Sequence, residues 1–316
     1  MQADRRDFLK SLILASLATG LPLQRASAQK KPSEKELAKT SSLLAKKIPS
    51  TGLELPVIGL GTWITFNVGN NKGLRDQRTE VLREFLSLGG RIVDSSPMYG
   101  SSEEVIGYAL SKLDHPKSLF SATKVWTSSA KEGLEQIADS QRLWGIKKFD
   151  LFQVHNLDAW EDHLKTLFKM KEKGELAYVG VTTSHGRRHD ELEKIMKSQP
   201  IDFVQLTYNI EDREVEQKIL PLAIEKKIAV IANRPYQGGT LIRRLKGKPL
   251  PAVAEAFDCK TWAEFLLKFI VSHPAITCAI PATSKTEHLR ENMAAGRGKL
   301  PDKTTRDAMA RAYGAL

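Results

Sequence analysis

The sequence predicts an α/β fold, a closed (β/α)8 TIM barrel carrying a short N-terminal β-hairpin. Three observations lead there. From Gly52 onward, short β-rich runs alternate with stretches of helical spacing about eight times within one domain's length. No glycine-rich phosphate loop follows the first strand. Gly59-Leu-Gly-Thr-Trp63 lacks the third glycine and leads into no helical pattern, which argues against a doubly wound sheet. Finally, ionisable residues stand at or just past the ends of the β-rich runs, where barrel enzymes gather their chemistry.

The N-terminus reads as targeting rather than fold. Arg5 and Arg6 precede a short apolar run, Leu12 to Leu23, interrupted by Gly20 and Pro22, and Ala26-Ser-Ala28 supplies a small-residue cleavage site. Residues 1–28 are therefore expected to be a twin-arginine signal peptide, which exports proteins already folded. The mature chain would begin near Gln29 and work in the periplasm, with the Tat translocase as its partner during export. Residues 29–47, rich in Lys, Ser and Glu, read as a solvated lead-in. Residues 48–316 form one domain of barrel size, with no Gly/Ser or Pro-rich linker inside it.

Within that domain, Gly52 to Trp63 reads as a hairpin followed by a strand ending in glycines. Helical spacing then appears at Val81/Leu82/Phe85/Leu86, Val105/Ile106/Ala109/Leu110 and Leu134/Ile137/Ala138. It recurs at Trp160/Leu164/Leu167/Phe168, Leu192/Ile195/Met196 and Val215/Ile219/Leu220/Ala223. Between these lie β-rich runs at 119–123, 149–154, 177–181, 203–206, 228–231 and 277–280, and Ile92-Val93 opens the run Arg91–Gly100. A final helix is expected over 302–311, leaving little tail to cover the mouth and hence a shallow, open pocket, one that would fit bulky or varied ligands.

Composition narrows the function classes. The 316 residues carry a formal charge of +11, but the lysines are spread over helix faces rather than gathered into an aromatic-studded stripe, which argues against nucleic-acid binding. Two cysteines, Cys259 and Cys278, cannot make a disulfide framework, and Cys278 in an apolar strand reads as inert core. No long apolar run follows the signal, so no stable membrane insertion of the mature chain is expected. His185 and His189 have no third ligand near them, and no metal site is expected.

The strand ends carry the chemistry. If the barrel holds, Asp94 and Tyr99, then Lys124, then His155 converge on one mouth from adjacent strands. A buried lysine needs an acid, and Asp94 is the natural partner. A free phenol, with a pKa of ~10, is a poor acid at neutral pH. A lysine ammonium beside it favours the phenolate, and an aspartate keeps that lysine charged. Such a set suits protonation of a developing alkoxide, with His155 either donating a hydrogen bond to the same oxygen or relaying the proton. None of these groups supplies a hydride, so a cofactor must.

On these residues the chain resembles the aldo-keto reductase superfamily. The likeness rests on Asp94-Ser-Ser-Pro-Met-Tyr-Gly100 with Ser102-Glu103, Thr123-Lys124-Val125 and Gln153-Val-His155. Lys173-Gly-Glu-Leu-Ala-Tyr-Val-Gly-Val181 and Ile280-Pro281 with Glu291-Asn292 extend it, in order, over about residues 51–296. The resemblance implies a barrel that binds a nicotinamide dinucleotide without a Rossmann domain. It assigns Asp94, Tyr99, Lys124 and His155 as the catalytic tetrad, with Tyr99 as general acid. It places Gln205 on the nicotinamide carboxamide, with Thr182 and Thr183 standing where the family carries a Ser-Asn pair. Asn233 takes the place of the aromatic that stacks on the nicotinamide, with Tyr236 as a substitute ring, and Arg234 stands next to the pyrophosphate. Ala282 and His288 replace the basic pair that grips a 2′-phosphate, leaving Thr283, Lys285 and Arg290 near the next helix's start, together with Glu291 and Asn292. NADPH is the expected cofactor, with NADH as the second choice. Trp63, Trp126 and Asn156 are expected to line the substrate pocket. The reading is thus NAD(P)H-dependent reduction of an aldehyde or ketone. Its rival is a nicotinamide-nucleotide-binding sensor or accessory subunit with little catalysis, against which the intact tetrad speaks. A barrel hydrolase would need a second strand-end acid beside Asp94.

Overall fold

The computed structural model describes residues 42–316. A two-stranded antiparallel hairpin, β1 (Ala45–Lys47) and β2 (Glu54–Pro56), comes first. Eight parallel strands follow, in sheet order β3 (Leu60–Gly61), β4 (Ile92–Asp94), β5 (Phe120–Val125), β6 (Phe149–Val154), β7 (Leu176–Thr182), β8 (Phe203–Thr207), β9 (Ala229–Asn233) and β10 (Ile276–Ala279). The sheet closes where its ends meet. There Gly59 N donates to Ala279 O (2.8 Å), Ala279 N to Val57 O (2.9 Å) and Gly61 N to Pro281 O (3.1 Å). This seam explains the glycine in β3, since a Cβ on Gly61 would stand 2.7 Å from Ile280 O.

The period-2 alternation of a strand divides the core in two. Ile92, Phe120, Leu151, Tyr178, Phe203, Ile231 and Cys278 point inward and fill the barrel. Their neighbours Val93, Val125, Phe152, Val179, Val204 and Val230 point outward under the helices, in the larger cluster. Cys278 is a free thiol inside the barrel, as its apolar surroundings in sequence implied. Strand limits differ from the sequence reading by a residue or two. The run expected over 119–123 extends as β5 to Val125, because Lys124 is counted as polar in sequence yet sits wholly inside the barrel.

The hairpin closes the end away from the chemistry. Ile48 and Leu55 add to the interior cluster. Its first arm, β1, falls within the segment read as solvated lead-in, and the reason is Lys46. Its ammonium donates to Val271 O (2.8 Å), His273 O (2.8 Å) and Ile276 O (2.6 Å), so a charged residue ends part-buried at the base of β10. Burial, aided by Arg306, lowers its pKa to about 8. The signal peptide expected at 1–28, and the lead-in up to residue 41, lie outside the described residues.

Candidate active site

The alternation that fills the barrel also builds the site. Two residues beyond the inward hydrophobics, the same face of each strand presents Asp94 after Ile92, Lys124 after Ala122 and Gln153 after Leu151. On β8 and β9 it presents Gln205 after Phe203 and Asn233 after Ile231. The parallel register sets Asp94 beside Ala122 and Lys124 beside Gln153. Polar groups therefore form the top layer of an otherwise apolar barrel.

Asp94 is the centre of this layer. Lys124 Nζ lies 2.6 Å from Asp94 Oδ2, and neither side chain is more than 2% exposed. Asp94 Oδ1 accepts from Gln205 Nε2 (2.8 Å) and Gln153 Nε2 (3.2 Å). Lys124 also donates to Ser95 O at 2.7 Å. Burial works against the Lys124 charge, but the facing Asp94 outweighs it and holds the pKa above the usual lysine value. The pairing expected from sequence is the one observed.

Tyr99 ends a single 3-10 turn, Pro97–Tyr99, whose start is capped by the Ser96 hydroxyl accepting from Met98 N. Lys124 Nζ lies 5.2 Å from the Tyr99 ring centroid, and His155 meets the tyrosine edge-on with centroids 5.9 Å apart. The expectation that Lys124 lowers the phenol's pKa is outweighed. Burial raises the Tyr99 phenol more than the ammonium depresses it, so the group stays protonated in the free protein. His155 stands immediately after β6, with Nδ1 2.9 Å from Ser96 Oγ. Burial, with Lys124 nearby, pushes its imidazole down to about 3, so it is neutral at working pH.

These groups open onto one cavity of about 320 Å³, to which Tyr99, His155, Thr182, Thr183, Gln205 and Asn233 all contribute. Trp63 and Asn156 line it as expected. Trp126 does not; it is 41% exposed, its backbone N–H held by Gln136 Oε1, and it stands outside that wall. His185, which carried no site role in the sequence, is exposed and also lines the cavity, beside Arg187 (Nη2–Nδ1 3.3 Å). Ser96 and Gln153 carried no role in the sequence reading, although they lie inside the quoted motifs. Their sign in sequence was position alone, Gln153 two residues before His155 and Ser96 two after Asp94. Glu103 lies outside the barrel wall. It accepts from Thr123 Oγ1 (2.7 Å), Ser140 Oγ (3.0 Å) and Trp144 Nε1 (3.1 Å), and so braces β5 next to Lys124.

The sequence matches the aldo/keto reductase family over residues 57–309. The chain belongs to this family. Among curated relatives, the methylglyoxal reductase YeaE of Escherichia coli is 26% identical over 251 residues, covering 78% of this chain and 87% of that protein. The NADH-specific methylglyoxal reductase of the same organism is 25% identical over 260 residues, covering 71% and 78%. Among solved structures, an aldo/keto reductase from Klebsiella pneumoniae in complex with NADP and acetate superposes with a TM-score of 0.68. It is 23% identical, and the match covers 83% of this chain and 93% of that one.

The residues at the mouth fit the nicotinamide dinucleotide that the family resemblance implies. Thr183 Oγ1 and Gln205 Oε1 bond no group among the described residues and face the cavity, one a donor and the other an acceptor for a carboxamide. Asn233 lines the cavity. Its amide is spent between Thr207 Oγ1 (2.8 Å) and Thr183 O (2.9 Å), bridging three strands. Tyr236 lines the cavity, but its hydroxyl is tied to Asn292 Oδ1 at 2.7 Å. Arg234 lies over the Trp63 indole (6.0 Å to the centroid) and has no carboxylate in ion-pair range among the described residues, so its guanidinium is open to an anion. Farther out, Thr283 Oγ1 accepts from Lys285 N (3.2 Å), and Lys285 and His288 are exposed. Arg290 is clasped by Glu84 through two contacts and is not a free phosphate partner. Glu291 lines a second cavity of about 250 Å³ with Arg243, Lys246 and Trp262, residues the sequence reading did not single out.

Proposed function

We propose that this protein reduces small aldehydes or ketones to alcohols using NAD(P)H. The observation that carries the reading is the convergence of Tyr99, His155 and the buried Lys124–Asp94 pair on one cavity. A bound nicotinamide supplies the hydride. Tyr99 gives its phenolic proton to the carbonyl oxygen as negative charge builds there. The Lys124 ammonium then stabilises the phenolate left behind, and Asp94 keeps Lys124 charged while Gln153 and Gln205 hold Asp94 in place. Neutral His155 offers a hydrogen bond rather than a proton.

The cavity is at the small end for ligand sites, and Trp63, Ile64, Met98 and Tyr236 give it apolar walls, which favours short-chain carbonyl compounds. Two relatives named as methylglyoxal reductases make α-oxoaldehydes the first substrates to try. A carbonyl panel scored by loss of NADPH absorbance tests this; no turnover of any member refutes it. NADPH is the preferred dinucleotide on this reading, supported by Lys285 and Thr283 at the start of the helix Thr286–Ala294. Tighter binding of NADH than of NADPH would reverse the preference. The twin arginines and the Ala-Ser-Ala site support export of the folded barrel, which would carry a bound dinucleotide into the periplasm. Native mass of protein recovered from the periplasm should include that dinucleotide; a cytoplasmic protein retaining its first residues would refute the route.

A further inference from the structure

His155 has two ring nitrogens, and of its two neutral forms only one presents an N–H at Nε2. Nδ1 lies 2.9 Å from Ser96 Oγ, and both side chains are buried. Ser96 Oγ already accepts the Met98 N–H at 3.2 Å. Its hydroxyl has one proton to place, and His155 Nδ1 is the only acceptor within its reach among the described residues. If Nδ1 carried the ring proton, the Ser96 hydroxyl proton would be buried without a partner, an arrangement folded proteins avoid. With Ser96 as donor, both its hydroxyl and Nδ1 are satisfied and the ring proton falls on Nε2, on the side of the cavity. That nitrogen bonds no described group, and His155 lines the same cavity as Tyr99.

The serine is well placed to act this way. Thr62 Oγ1 lies 2.9 Å from both Asp94 O, to which it donates, and Ser95 Oγ, from which it can accept, and Lys124 holds Ser95 O. The turn delivering Ser96 is thus anchored to the same pair that serves Tyr99. Because burial keeps the imidazole neutral, its tautomer decides what it offers a ligand.

We infer that Ser96 is a positioning residue of the reduction: its hydroxyl holds His155 as the Nε2–H tautomer, aiming a hydrogen-bond donor at the carbonyl oxygen that Tyr99 protonates. This rests on the carbonyl-reducing reading above, but the tautomer is measurable without turnover. Protein with 15N-labelled histidine rings is studied by long-range 1H–15N correlation, with His155→Gln identifying the resonance. The full chain and its Ser96→Ala and Ser96→Thr variants are compared. In wild type and Ser96→Thr, Nε2 should be pyrrole-like and Nδ1 pyridine-like. In Ser96→Ala the proton should shift toward Nδ1, and kcat should fall about tenfold, the ratio one neutral hydrogen bond of tautomer preference sets. The Kd for NADPH should stay unchanged, and the threonine should restore both readouts. A proton on Nδ1 in wild type overturns the inference, as does an unchanged tautomer in Ser96→Ala, even if that variant loses activity through its Met98 contact. Absence of carbonyl turnover in wild type refutes the reductase reading alone, since the ring spectrum decides the tautomer in either case.

Discussion

Replacing Asp94 by Asn probes the site at its electrostatic centre. The carboxylate receives three donors: Lys124 on Oδ2, and Gln153 and Gln205 on Oδ1. An amide has one oxygen for them and turns its own N–H2 toward either the ammonium or the glutamines. The Lys124 side chain is wholly buried, so its charge would be left uncompensated. Removing one partner of a buried pair costs about 3–5 kcal/mol. At ~2–4 °C per kcal/mol for a domain of this size, Tm should drop by about 6–20 °C near neutral pH. Lys124 can escape by releasing its proton, and the sign of the pH dependence follows. In wild type the Lys124 pKa is raised by Asp94, so its contribution is full below the ordinary lysine value and fades only as pH rises through the higher folded value. In the variant the folded pKa should fall below the ordinary value, because burial then faces only the weaker opposition of Tyr99. The unfolded chain binds the extra proton in between, so the variant should regain stability as pH rises from ~6 toward ~10. Thermal unfolding followed by circular dichroism at several pH values is the assay. The double variant Asp94→Asn with Lys124→Met should recover most of the lost Tm and none of the activity. A single variant within ~2 °C of wild type, with no upward trend in pH, would refute a charged Lys124 held by Asp94.

Tyr99→Phe should lower kcat by about 10²–10⁴ and leave the Kd for NADPH within a factor of two or so; fluorescence titration with single-turnover reduction checks both, and near-normal turnover removes Tyr99 as the acid. The pH profile of kcat/KM should show no step across the ordinary histidine range, because His155 titrates near pH 3. It should fall only above the ordinary phenol value, because burial raises Tyr99; a break at the usual histidine pKa would contradict the neutral imidazole. Gly107→Ala tests packing away from the site. A Cβ there would meet Leu143 O at 1.8 Å, where helix Ser102–Lys112 crosses helix Ala130–Trp144. A loss of about 3 kcal/mol or more in chemical denaturation is expected, with activity per folded molecule unchanged. Wild-type stability would mean the helices do not approach so closely.

Much of this protein was legible in its residues, for physical reasons that can be named. Alternating periods of two and 3.6 dictate a barrel because strand and helix each bury one face, and repeating the pair in sequence wraps the sheet on itself. Asp94, Tyr99, Lys124 and His155 were readable because ionisable groups at the ends of apolar strands have little other purpose. Their pairing followed from the cost of burying a lone charge. What tertiary structure alone decided concerns groups whose sequence neighbours are uninformative. Lys46 looks solvated until three carbonyls from beyond residue 270 close around it. Trp126 stands outside the cavity it was expected to line, and His185 lines it, because a loop's direction depends on what it packs against. Arg290 is occupied by Glu84, 206 residues away in sequence. The Tyr99 phenol is raised rather than lowered because desolvation depends on how completely the barrel mouth encloses it. Sequence by itself determined which chemical groups meet at the mouth. The protonation of Tyr99, the glutamines that hold Asp94 and the contact between His155 and Ser96 were decided only by distances between distant parts of the chain.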